Sequence, residues 1–84
     1  MDEVIKLLKS KLKTEILRLL AKEQLTPVMI AKLIKRPRAS ISRVILELFK
    51  LGYVKCLNPK EDRWRMYVIT ESGEKVLGKL ERFR

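Results

Sequence analysis

Eighty-four residues suit one domain with a modest core, and 46% hydrophobic with 36% charged side chains excludes a disordered tail. Twenty Lys and Arg against ten Asp and Glu give a net charge of +10, which points to a polyanionic partner, nucleic acid ahead of an anionic membrane surface. One cysteine and no histidine exclude a zinc finger, a disulfide framework and histidine-based acid–base catalysis. The chain lacks a membrane span and a signal-peptide core, so a cytoplasmic location is expected.

Val4, Leu8, Leu12, Ile16 and Leu20 recur at every fourth position, with Ile5, Leu17 and Leu19 alongside, which is a helical period. Ser10 can cap a helix inside this stretch, so the spacing predicts a short helix over 2–9 and a main one over 11–22. Thr26-Pro27 is a helix start, with a capping oxygen followed by proline where a missing N–H costs nothing. Ile30, Leu33 and Ile34 form the apolar stripe of this second helix. Arg36-Pro37 ends it, because a residue before proline is pushed out of the α region.

A third helix is expected over 37–51, stopped by Gly52 in a left-handed conformation. Ile41, Val44, Ile45 and Leu48 gather on one arc, with Phe49 and Leu51 at its edges. Ala39, Ser42, Arg43 and Lys50 gather opposite, a compact cationic face of the kind a major groove admits. The basic charge is concentrated here: residues 35–65 hold nine basic side chains against three acidic ones.

After Gly52 the period changes. Residues 53–57 read as a strand, 58–62 as a turn and 63–69 as a second strand, together a β-hairpin. Alternation puts Trp64, Met66 and Val68 on one face of that strand, so Trp64 is expected to pack beneath the hairpin rather than touch a base. Cys56 is expected to be a buried, inert thiol. Thr70 caps a last helix over 70–83, which carries Val76, Leu77, Leu80 and Phe83 on one arc.

Three segments in this order resemble the small archaeal-type transcriptional regulators of the MarR/ArsR-like winged-helix group. Leu25-Thr26-Pro27-Val28-Met29-Ile30-Ala31 is similar to that group's L-T-x-x-x-I-A helix. Ser40-Ile41-Ser42-Arg43, then Leu48 and Leu51-Gly52-Tyr53-Val54, is similar to S-x-V-S-R…L…L-G-L-V. Arg63 to Gly73 is similar to the return strand and exit of the wing. The chain departs from the pattern at Pro37, where the group usually has a capping Ser or Thr. The Asp62-Arg63 pair does not match the MarR spacing.

The resemblance implies a mainly α (α+β) fold: a winged helix-turn-helix with a three-helix core, a two-stranded wing and a C-terminal helix, as a single domain over 1–84. It implies a sequence-specific, double-stranded DNA-binding transcriptional regulator acting as a homodimer, with helix 37–51 in the major groove and wing 58–65 on the backbone or minor groove. Arg38, Ala39, Ser40, Ser42 and Arg43 match the group's DNA-facing positions. Arg36 and Lys50 extend that basic surface, and Lys60, Arg63 and Arg65 are the wing candidates. A dimer interface is expected from Val4, Ile5, Leu8, Val76, Leu77, Leu80 and Phe83. No cofactor, metal, membrane or small-molecule effector is expected. The competing readings are a weakly specific architectural nucleic-acid binder and a winged helix that binds protein. An enzyme is not expected, since the chain has no histidine and no glycine-rich phosphate loop.

Overall fold

The computed structural model describes residues 10–61 and 63–82. The expected helix over 2–9 lies outside them. Helix α1, Lys11–Lys22, starts where Ser10 Oγ accepts the Lys13 N–H at 3.3 Å, and it buries Ile16, Leu17 and Leu20. Helix α2, Pro27–Ile34, is capped by Thr26, whose Oγ1 accepts the Met29 N–H at 3.2 Å. Of its expected stripe only Ile30 is fully buried. Ile34 is partly covered and Leu33 is 58% exposed, because this eight-residue helix meets the core over little more than one turn.

The turn after α2 is tighter than the proline requires. Lys35 takes a left-handed conformation, φ 63°, and both its N–H and that of Arg36 bond the Ala31 carbonyl. Helix α3, Arg38–Lys50, follows with Pro37 in the capping position and no side-chain cap bond. Its buried arc is Ile41, Val44, Ile45 and Leu48. Its end is a Schellman motif: Gly52, at φ 81°, donates to the Phe49 carbonyl and Tyr53 to that of Leu48, each at 3.0 Å.

The hairpin is shorter than the alternation suggests. Strands β1, Val54–Cys56, and β2, Tyr67–Ile69, pair antiparallel with Val54 opposite Ile69 and Cys56 opposite Tyr67. A third segment joins them, since Leu25 exchanges both backbone hydrogen bonds with Tyr67, at 2.9 and 3.1 Å. Helix α4, Glu71–Arg82, starts at Thr70, whose Oγ1 accepts the Gly73 N–H at 3.1 Å and donates to the Gly52 carbonyl at 2.6 Å. One hydroxyl thereby ties the start of α4 to the end of α3.

The core gathers the inner faces of α1, α3 and α4 with Ile30, Leu25 and the inward strand residues Val54, Tyr67 and Ile69. The element order, helix–helix–turn–helix–hairpin–helix, is that of a winged helix. It leaves the outer face of α3 and the hairpin tip exposed on the same side.

Candidate nucleic-acid interface

The exposed face of α3 carries Ala39, Arg43 and Lys50, with Ser40 and Ser42 half-buried between them. Arg36 and Arg38 are exposed at the turn and in the first helical turn. The helical wheel sets Arg38 close to the core arc, but the structure swings it outward. A groove of about 210 Å³ is lined by Arg38, Ser42, Ile45 and Leu46 of α3, by Arg63, Arg65 and Tyr67, and by Pro27 and Val28 of α2. The groove therefore joins recognition-helix and wing candidates that lie far apart in the chain. Lys60 is exposed farther out on the wing loop.

The hairpin tip is organised by a residue that sequence reasoning passed over as a simple turn former. Asn58 Oδ1 accepts the Met66 N–H and its Nδ2 donates to the Trp64 carbonyl, both at 2.7 Å. Beyond Leu57, whose N–H bonds the Met66 carbonyl at 2.8 Å, an amide side chain thus replaces a strand partner. Arg65 Nε donates to the Glu61 carbonyl at 3.0 Å across the loop. The available signal was the Asn-Pro pair, since asparagine often bonds backbone a few residues away.

Three expectations need correction. Trp64 does not pack under the wing: it is 64% exposed, because regular pairing ends at Tyr67 and the space beneath the sheet is filled by Tyr67 and Ile69. Cys56 is only partly buried, and its thiol donates to Asn58 Oδ1 at 3.6 Å. Val76, Leu77 and Leu80 are not a free dimerisation stripe. They are buried in the core of their own domain, and the outer face of α4 is Glu71, Ser72, Glu74, Lys75, Gly78, Lys79, Glu81 and Arg82. Val4, Ile5, Leu8 and Phe83 lie outside the described residues.

The electrostatics of α3 favour an anion on its outer face. Glu47 is the one acid of the helix, and it turns toward α1 to meet Lys13 Nζ at 2.8 Å. The hydrogen bond from Lys13 holds its carboxyl below the usual glutamate range, aided by the charges of Lys13, Arg43 and Lys50 and opposed by partial burial. Among the described residues no carboxylate forms a salt bridge with Arg38, Arg43, Lys60, Arg63 or Arg65. No helix among them is long and apolar enough to cross a membrane.

No family model and no curated protein matches the chain. Solved structures do. The multiple antibiotic resistance repressor MarR superposes with a TM-score of 0.77 at 18% identity, over 98% of this chain and 67% of that one. The domain has the winged-helix fold of the MarR-family regulators. The transcriptional regulator BldR of Sulfolobus solfataricus gives a TM-score of 0.78 at 24% identity, over 87% of this chain and 53% of its own. Wild-type Lactococcus lactis ZitR in complex with DNA gives 0.74 at 22% identity, over 84% of this chain and 49% of its own. This winged helix thus spans roughly half to two-thirds of the length of those three chains.

Proposed function

We propose that this protein is a sequence-specific, double-stranded DNA-binding transcriptional regulator that acts as a homodimer. The observation that carries this reading is the shared groove, in which Arg38 and Ser42 of α3 face Arg63 and Arg65 of the wing. One duplex lying over the surface on either side of it can meet α3 and the wing at once. The outer face of α3 enters the major groove, where Arg43 and Arg38 can grip guanine O6 and N7, Ser42 can bond either partner, and Ala39 makes room. Lys60, Arg63 and Arg65 hold phosphates or the minor groove beside it. The concentration of basic charge in residues 35–65 supports the same assignment, as does the occurrence of this fold in a regulator solved with DNA.

The homodimer is retained with a changed interface. With Val76, Leu77 and Leu80 occupied by the core, pairing falls to Val4, Ile5, Leu8 and Phe83. Selection of bound duplexes from a random pool tests the whole proposal. It is expected to enrich an inverted repeat with half-sites about 34 Å apart, one helical turn. A bound pool with no enriched sequence would favour an architectural binder. The absence of any bound duplex would favour a protein-binding winged helix.

A further inference from the structure

The geometry points to Trp64 as a minor-groove wedge, its indole entering between base pairs beside the wing and kinking the duplex. The inference rests on the DNA-binding reading above and concerns how the DNA is shaped once bound. Trp64 is the most exposed large apolar side chain of the described residues. Leaving an indole in water forfeits burial that a core position would supply, so its place at the tip calls for a partner.

The tip that carries it is held from both sides. Asn58 binds the Trp64 carbonyl and the Met66 N–H, each at 2.7 Å, and Arg65 is fastened to the Glu61 carbonyl at 3.0 Å. The main chain that carries the aromatic is thus braced, so less backbone freedom is left to lose on binding. Its neighbours choose the partner. Arg63 and Arg65 precede and follow it in the chain and line the groove shared with Arg38, so the indole is carried by a basic segment of the wing. The Glu61 carboxylate, exposed in the same loop, accepts the Arg63 backbone N–H at 3.5 Å.

An apolar slab between two cationic residues of the chain matches a groove with phosphate walls and a floor of stacked bases. The minor groove is about 6 Å wide and 7.5 Å deep, enough for a ring entering edge-on. Apolar side chains inserted there unstack one step and bend the duplex, most cheaply at flexible pyrimidine–purine steps such as TA.

Trp64 is the sole tryptophan, so it reports on itself. The full chain is titrated into a short duplex with a central TA step, labelled at its two ends. Anisotropy reads binding, tryptophan emission reads the indole, and energy transfer between the ends reads bending. Tryptophan emission is expected to fall in step with binding while the ends draw together. Trp64→Ala should bind roughly tenfold more weakly and leave the duplex straight, and Trp64→Phe should keep most of the bend. Replacing the TA step by a stiff A-tract should weaken the wild type and leave Trp64→Ala unaffected. A bound duplex with unchanged tryptophan emission, or one bent equally by Trp64→Ala, overturns the wedge and leaves DNA binding standing. No binding by either protein overturns the DNA reading and the wedge with it.

Discussion

Gly73 shows how strictly one position can be set. A Cβ there would collide with the Tyr53 carbonyl oxygen and sit 2.6 Å from Ile69 Cγ1, where α4 crosses the hairpin. Gly73→Ala should therefore cost about 1–3 kcal/mol, and an unchanged melting temperature would contradict this packing. On the outer face the arginines should divide their labour. Arg43→Ala should cost about 1–3 kcal/mol on the preferred sequence and narrow its advantage over random DNA, whereas Arg63→Ala should weaken all sequences alike. Competition binding with specific and random duplexes checks this, and equal losses of preference would refute it. Glu47 gives a pH signature. Because its folded pKa is lowered, chiefly by the Lys13 hydrogen bond, it stabilises the ionised folded state above the ordinary value of 4.5 and loses that contribution as pH falls through the lowered one. The Glu47 side chain is nearly half exposed, so the effect is small, about 0.2–1 kcal/mol. Glu47→Gln should be the less stable protein at neutral pH and equal the wild type in strong acid, as denaturant titrations at the two pH values would show.

At the scale of the element, the wing depends on a side chain where strands normally depend on backbone. Asn58→Ala should speed hydrogen exchange of the Met66 amide and leave the α3 amides unchanged, and DNA affinity should fall without loss of sequence preference. Unchanged Met66 protection would contradict the role of Asn58. The comparison explains what was legible beforehand. Helix limits were, because Ser10, Thr26, Pro27, Gly52 and Thr70 act locally, and each caps, opens or ends a helix in the structure. Strand limits were not. Residues 63–66 alternate like a strand, but Asn58 takes the bonds, and the pairing of Leu25 with Tyr67 spans too long a loop to leave a sequence pattern. The apolar arc of α4 was visible too, but periodicity says that Val76, Leu77 and Leu80 want cover, not whether their own domain or a second copy provides it. The groove between Arg38 and Arg63 belongs to the same class, since only the folded chain brings its walls together.

For the whole molecule, assembly and charge carry separate tests. Leu80 is 2% exposed within its own domain, so charging it would damage the fold rather than separate subunits. The informative variant is Val4→Lys with Leu8→Lys. It should remain folded and sediment as a monomer, where the wild type sediments as a dimer, and its operator binding should be much weaker. A wild-type monomer at tens of micromolar would remove the dimer. The central claim, that the basic surface of α3 and the wing holds duplex DNA, is met most directly by affinity measured against salt. A dimer that neutralises about 6–10 phosphates should show log K falling against log salt with a slope of roughly −5 to −9, and Arg38→Ala with Arg63→Ala should flatten it. Affinity that does not change between low and moderate salt, or no duplex binding at low salt, would contradict the account.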